Sequence, residues 1–194
     1  MTLLEMIQKE NAAAFTHGGK FHADDVFSAA LLLHFNPRLT IQRGNRVPED
    51  FDGIVFDIGR GEYDHHQKDS RIRENQVPYA AFGLLWEALG TEILSPEMAA
   101  RFDEKFVQPL DLNDNTGEKN ELASMIGMFN PVFRLVEKSE ASLKLLLRLL
   151  IAPCIQIDQC QLLAHPGRPE AVVVLDKVFI QPVQSGERLG IEPH

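Results

Sequence analysis

Three short apolar runs open this chain: AAAFTH (12–17), LTIQRG (39–44) and GIVFDIG (53–59), each bounded by turn-forming letters. Their length and flanks predict buried β-strands. Between the first two lies DDVFSAALLLHF (24–35), apolar almost all round with acids at its start, which predicts a buried helix. Strand, helix, strand and strand again predict an α/β fold with a parallel sheet flanked by helices. Further on, VPYAAFGLLWEALG (77–90) carries apolar letters at helical spacing and ends on glycine. A second helix is expected from the Ser95-Pro96 pair through MAARFDEKFVQPL, with Pro109 kinking or ending it. NDNTGEKNE (113–121) predicts a polar turn, ASLKLLLRLLI (141–151) a helix and AVVVLDKVFI (171–180) a strand, before a loose tail.

At 194 residues the chain has room for one large domain, or for one domain with a smaller appendage. Twenty-eight acids against nineteen bases give a net charge of -9, which repels polyanions at long range and argues against a duplex DNA partner. Cys154 and Cys160 are too few for a disulfide framework and lack the paired spacing of a zinc site. The N-terminal letters lack a basic region ahead of an apolar stretch, and no run reaches eighteen apolar residues. A cytoplasmic protein with no membrane partner is therefore expected.

Chemistry-bearing residues gather in three places. THGGKFHADD supplies His17, His22, Asp24 and Asp25 where the first strand gives way to the first helix, the edge at which open α/β sheets bind ligands. If that segment is extended, residues 22 and 24 point the same way and Asp25 faces elsewhere, to cap the helix. Asp57 closes the GIVFD run, and Asp64, His65 and His66 follow in EYDHHQ. LDLNDN offers Asp111 and Asp114, three apart and hence on one face of a helical turn. Carboxylates crowded at one sheet edge repel one another unless cations compensate, and an oxygen and imidazole donor set without thiolate suits manganese, magnesium or iron better than a structural zinc. Arg60, Lys68, Arg71 and Arg73 around EYDHHQ read as a solvated basic face, and Tyr79, Phe82 and Trp86 as the core face of a helix rather than a base-stacking stripe.

Taken in order, THGGKFHADDVFSAALL, VFDIGRGEYDHHQ, PYAAFGLLW and LDLNDN resemble the DHH phosphoesterase superfamily, and within it the melanocyte-proliferating-gene-type exonuclease branch of UPF0160-like metal-dependent hydrolases. The resemblance implies a Rossmann-like DHH domain over residues 1–130 and a reduced or truncated C-terminal α/β lobe over 131–194. His17, His22 and Asp24 would supply the first metal ligands, Asp57 a bridging carboxylate and His65 a further ligand, with Asp111 or Asp114 completing the set. His66 would face the substrate phosphate and Asp64 would orient His65, these two being the catalytic pair. His22 stands where many superfamily members carry an aspartate.

The implied activity is hydrolysis of a phosphodiester by water activated between two divalent ions, Mn2+ or Mg2+. The implied substrate is the end of a short single-stranded RNA, attacked as a 3'-5' exonuclease, or a nucleotide; a homo-oligomer is compatible with it. Two other classes stay open: a metal-binding regulatory module that has lost catalysis, and a nonenzymatic α/β interaction domain.

Overall fold

The computed structural model describes residues 1–133. The expected helix at 141–151, the strand at 171–180, the C-terminal lobe and both cysteines lie outside the described residues.

Among the described residues the sheet is parallel, with strand order β2-β1-β3. It comprises β1 (Ala13–His17), β2 (Thr40–Gly44) and β3 (Ile54–Val55). All three expected strands form, and the third shortens to two residues because the chain turns immediately after Phe56, which bridges to Tyr63. The register pairs Ala14 with both Ile41 and Ile54, so the buried central strand carries its neighbours' apolar residues beside its own. The fold is α/β, a small parallel sheet flanked by helices.

Six α-helices surround the sheet among the described residues: α1 (Leu3–Ile7), α2 (Ala23–Phe35), α3 (Ala81–Leu89), α4 (Pro96–Phe102), α5 (Gln108–Thr116) and α6 (Glu121–Phe133). Helix α2 is buried on most of its circumference, with Val26, Ala29 and Leu32 fully enclosed, and it packs against α3, α5 and α6. The expected extended course of residues 22–24 is not observed: His22 caps α2, and Asp24 is already helical. Asp25 does cap the helix, its Oδ1 accepting the His22 N–H at 2.7 Å.

Two boundaries differ from expectation. Helix α3 starts at Ala81 rather than Val77, because Pro78 disfavours helical geometry before it and the preceding residues run extended in a bridge to Ile72. Of its predicted core face, Phe82 and Trp86 are buried, the Trp86 indole N–H donating to the Ala99 carbonyl, whereas Tyr79 precedes the helix, is half-buried and donates its hydroxyl to Glu87. The chain beyond α4 widens into one π-helical stretch, Asp103–Val107, and resumes as α5 with Pro109 in its first turn, where a missing N–H costs nothing. Residues 113–116 are thus helical rather than a turn. Gly117, at φ 76°, ends the helix in the left-handed conformation that glycine adopts without strain.

Helix α3 has no local side chain to cap it, and the fold solves this from a distance. The carboxylate of Asp24 accepts the N–H groups of Ala81 (3.2 Å) and Phe82 (2.7 Å), and Asp111 accepts that of Gly83 (3.1 Å). Three buried donors of one helix start are satisfied by acids from two other helices. A side chain at position 83 would collide with the Asp111 carboxylate and the Arg73 guanidinium, so only glycine fits.

Candidate metal centre

The carboxyl edge of the sheet places the three sequence clusters together. His17 ends β1, and Asp57 follows β3 in the left-handed conformation (φ 56°), which aspartate tolerates better than most residues. A tight loop with Gly59 and Arg60 also at positive φ carries the chain back to Tyr63 and onward to Asp64, His65 and His66.

Asp57 is the hub. Its Oδ2 lies 3.0 Å from His17 Nε2, and its Oδ1 lies 3.2 Å from His65 Nε2 and 3.7 Å from His66 Nδ1. His65 Nε2 is also 3.2 Å from Asp114 Oδ2. Among the described residues, two groups of side chains bring ligand atoms within 4.8 Å of one another: Asp57, His65 and His66, and Asp24, His65 and Asp114. They meet at His65, and their oxygen and nitrogen donors suit a hard or borderline divalent cation.

The remaining predicted residues sit around these groups. His17 borders the first, its Nδ1 accepting the Gly19 N–H at 3.1 Å. His22 is half exposed, with Nδ1 3.6 Å from Asp114 Oδ1 and its ring stacked near that of His17. Asp111, unlike Asp114, turns away to Arg73, whose Nη2 lies 2.8 Å from its Oδ2. Asp64 does not orient His65. Its Oδ1 accepts from His66 Nδ1 (2.8 Å) and the His66 N–H (3.1 Å), and its Oδ2 accepts the Arg60 N–H (2.6 Å), because the turn after Tyr63 folds it back beneath its second neighbour. His65 instead meets Asn115 Oδ1 through Nδ1, at 3.1 Å.

Two arginines escaped the sequence reading. Arg43 is almost fully buried, bonds Asp25 Oδ2 at 2.7 Å and lies over the Phe21 ring. Arg73, expected on a solvated face, is buried between Asp103, Asp111 and the Tyr79 ring. Their signal was faint, since basic residues mostly lie at surfaces.

Burial and close mutual contacts shift several of these acids and imidazoles. Burial first, and then the charges of Asp57, Asp114 and Asp111, push the Asp24 carboxyl well above the usual carboxylate range. Burial would likewise raise Asp57, but hydrogen bonds and charge from His17 and His65 outweigh it and hold that carboxyl below its ordinary value. For His65 burial works downward, and it is overcome by hydrogen bonds to Asp114 and Asp57, the charge of Asp24 and the bond to Asn115, which push the imidazole up to about 11.

A cation bound among these groups would displace protons. At neutral pH it should release on the order of one proton per ion bound, and apparent affinity should rise between about pH 6 and about pH 8. Calorimetric titration of Mn2+ in buffers of different ionisation enthalpy counts those protons; affinity independent of pH would contradict this electrostatic picture.

Two clefts open onto the centre. One, of about 370 Å³, is lined by His17, Asp57, Arg60, Asp64 and His66; the other, of about 520 Å³, by Lys20, Asn113, Asp114, Gly127 and Asn130; His22 stands between them. Asn130 fastens the loop before His22, donating to the Phe21 carbonyl and accepting the Phe21 N–H. No helix among the described residues is long and apolar enough to cross a membrane.

The family model MYG1_exonuc, described as an uncharacterised protein family (UPF0160), matches residues 13–144. The match takes in β1, Asp57, the paired histidines and α5, and it covers more than half of the chain, which belongs to this family. The family's name suggests a nuclease-like function. No curated protein and no solved structure matches the chain.

Proposed function

We propose, from the premise that this chain belongs to the UPF0160 family and from the pocket at its sheet edge, that it is a metal-dependent phosphoesterase of the DHH type. Its substrate would be a phosphodiester, either the end of a short single-stranded RNA cut as a 3'-5' exonuclease or a nucleotide. The observation that carries the reading is the meeting of two ligand groups at His65 beside a buried carboxylate hub.

Asp57, His65, Asp24 and Asp114 would hold the cations, with Asp114 rather than Asp111 serving because Asp111 is engaged by Arg73 and Gly83, and with His66 beside the first group rather than holding its ion because its Nδ1 is bonded to Asp64. His17 and His22 border this set. When bound, a pair of divalent ions supplies Lewis acidity and a water ionised near neutral pH.

The chain's own part is positioning and proton transfer. Asp64 Oδ1 accepts the His66 Nδ1–H in a 2.8 Å bond, leaving Nε2 of this exposed ring for the substrate. From there the imidazolium can neutralise phosphoryl charge or protonate the leaving oxygen. Arg60 lines the same cleft and can add local positive charge that the acidic chain lacks.

Purified full-length chain with Mn2+ should hydrolyse a generic phosphodiester and short RNA oligonucleotides. His66→Gln should lower kcat by roughly 10²- to 10⁴-fold while leaving Mn2+ affinity nearly unchanged. Tight metal binding without turnover on any phosphoester would favour the regulatory-module reading instead.

A further inference from the structure

Asn115 is the side chain that the proposed chemistry does not yet use, although it lies against the centre. Its amide spans three groups: Nδ2 donates to the Tyr79 carbonyl (3.1 Å) and to the Asp111 carbonyl (2.9 Å), and Oδ1 lies 3.1 Å from His65 Nδ1. Carbonyl oxygens only accept, so both amide N–H groups are committed and the amide cannot turn over without losing two hydrogen bonds. The atom facing His65 is therefore an oxygen, which cannot donate. The proton must sit on His65 Nδ1.

Resting on the metal-centre reading above, we infer that Asn115 is a positioning residue that holds a proton at His65 Nδ1, so that an arriving cation displaces only the Nε2 proton shared with Asp57 and Asp114 and meets the Nε2 lone pair. A neutral imidazole carries one N–H, so a proton held at Nδ1 leaves Nε2 able to ligate. Nε2 is the atom 3.2 Å from both Asp57 Oδ1 and Asp114 Oδ2.

The neighbouring buried histidine supplies an internal contrast. His17 Nδ1 accepts the Gly19 N–H, so its neutral form carries the proton on Nε2, aimed at Asp57 3.0 Å away. Two imidazoles flank one carboxylate with opposite outer partners: a donor at His17 Nδ1, which keeps the proton of the neutral ring on Nε2, and an acceptor at His65 Nδ1, which frees Nε2 of the neutral ring for a cation. Partners of this kind govern affinity through ring orientation and basicity, not through contact with the ion.

The test uses full-length chain labelled with 15N-histidine and titrated with 113Cd2+ alone. In the wild type, one-bond 15N–113Cd coupling is expected at His65 Nε2. Asn115→Leu, which removes every partner, should weaken Cd2+ binding by about 10- to 100-fold, and Asn115→Asp, which keeps an acceptor toward Nδ1 but loses both donor bonds, should recover affinity to within about threefold of wild type. Coupling at Nδ1, a leucine variant that binds as wild type, or an aspartate variant as weak as leucine would each overturn the inference; the last would mark Asn115 as a structural tie between Tyr79 and Asp111 only. Should the leucine variant fail to fold, the wild-type coupling and the aspartate variant still decide. Absence of Cd2+ binding by the wild type would remove the metal centre and this inference together, whereas binding that ignores Asn115 would remove this inference alone.

Discussion

Asp57→Asn should leave the chain folded and abolish phosphodiester hydrolysis, by roughly 10³-fold or more, with a matching loss of metal affinity. Asparagine is the informative replacement because it keeps the shape of aspartate and its tolerance of the left-handed backbone at φ 56°, so only the charge is removed. Alanine would add backbone strain of about 1 kcal/mol at that φ and blur the result. The charge matters because Asp57 is the carboxylate that His17, His65 and His66 all approach, and among the described residues no other acid lies between all three. Circular dichroism and a melting curve establish the fold, and steady-state hydrolysis with Mn2+ gives the loss. Activity within about tenfold of wild type would remove Asp57 from the mechanism.

The second large effect concerns stability. Arg73→Ala should cost about 3 kcal/mol, seen as a fall in Tm of roughly 10 °C. Arg73 is buried and holds Asp111 and Asp103 at 2.8 Å each, tying the segment before α3 to α5 and to the π-helical stretch. Removing it strands a fully buried carboxylate beside the start of α3. Burial already raises Asp111 to about 7 against the opposing pull of Arg73, so in the variant Asp111 escapes by keeping its proton, which holds the loss toward the low end for a broken buried pair.

The sign of the pH dependence follows. An acid whose folded pKa lies above its unfolded value binds more protons folded than unfolded, and stability then falls as pH rises from about 4 through the folded value. The deficit of Arg73→Ala should therefore be larger at about pH 8 than at about pH 5. Thermal melts at both pH values measure it, and a Tm within about 2 °C of wild type at either would contradict the structural role.

What could be read from the chain beforehand was whatever depends on local pattern. The runs at 12–17 and 39–44 and the helix at 24–35 appear close to their expected bounds, because short apolar runs and an all-apolar helix bury themselves in few ways. The acids and imidazoles of the pocket were also visible, since strand ends at a parallel sheet's carboxyl edge converge. What stayed hidden was set by contacts remote in sequence. Asp24 caps a helix 57 residues away, a role that no local capping rule exposes. Asn115 lies in a stretch whose polar letters predicted a turn, and only the continuation of α5 past Pro109 brings it to His65. The partner of Asp64 depended on how a tight turn folds, and its letters DHH fit either histidine. Arg43 and Arg73 look like surface residues until Asp25, Asp103 and Asp111 are folded around them.

The claim beneath all of this is that separate acids and imidazoles form one pocket for two cations. Its most direct measurement is the Mn2+ stoichiometry of the purified full-length chain, by calorimetry together with electron paramagnetic resonance. The account predicts two ions per chain, with a spectrum showing coupling between them, and loss of both signals in Asp57→Asn. A chain that takes up no Mn2+, or that binds the same amount after that substitution, would contradict it.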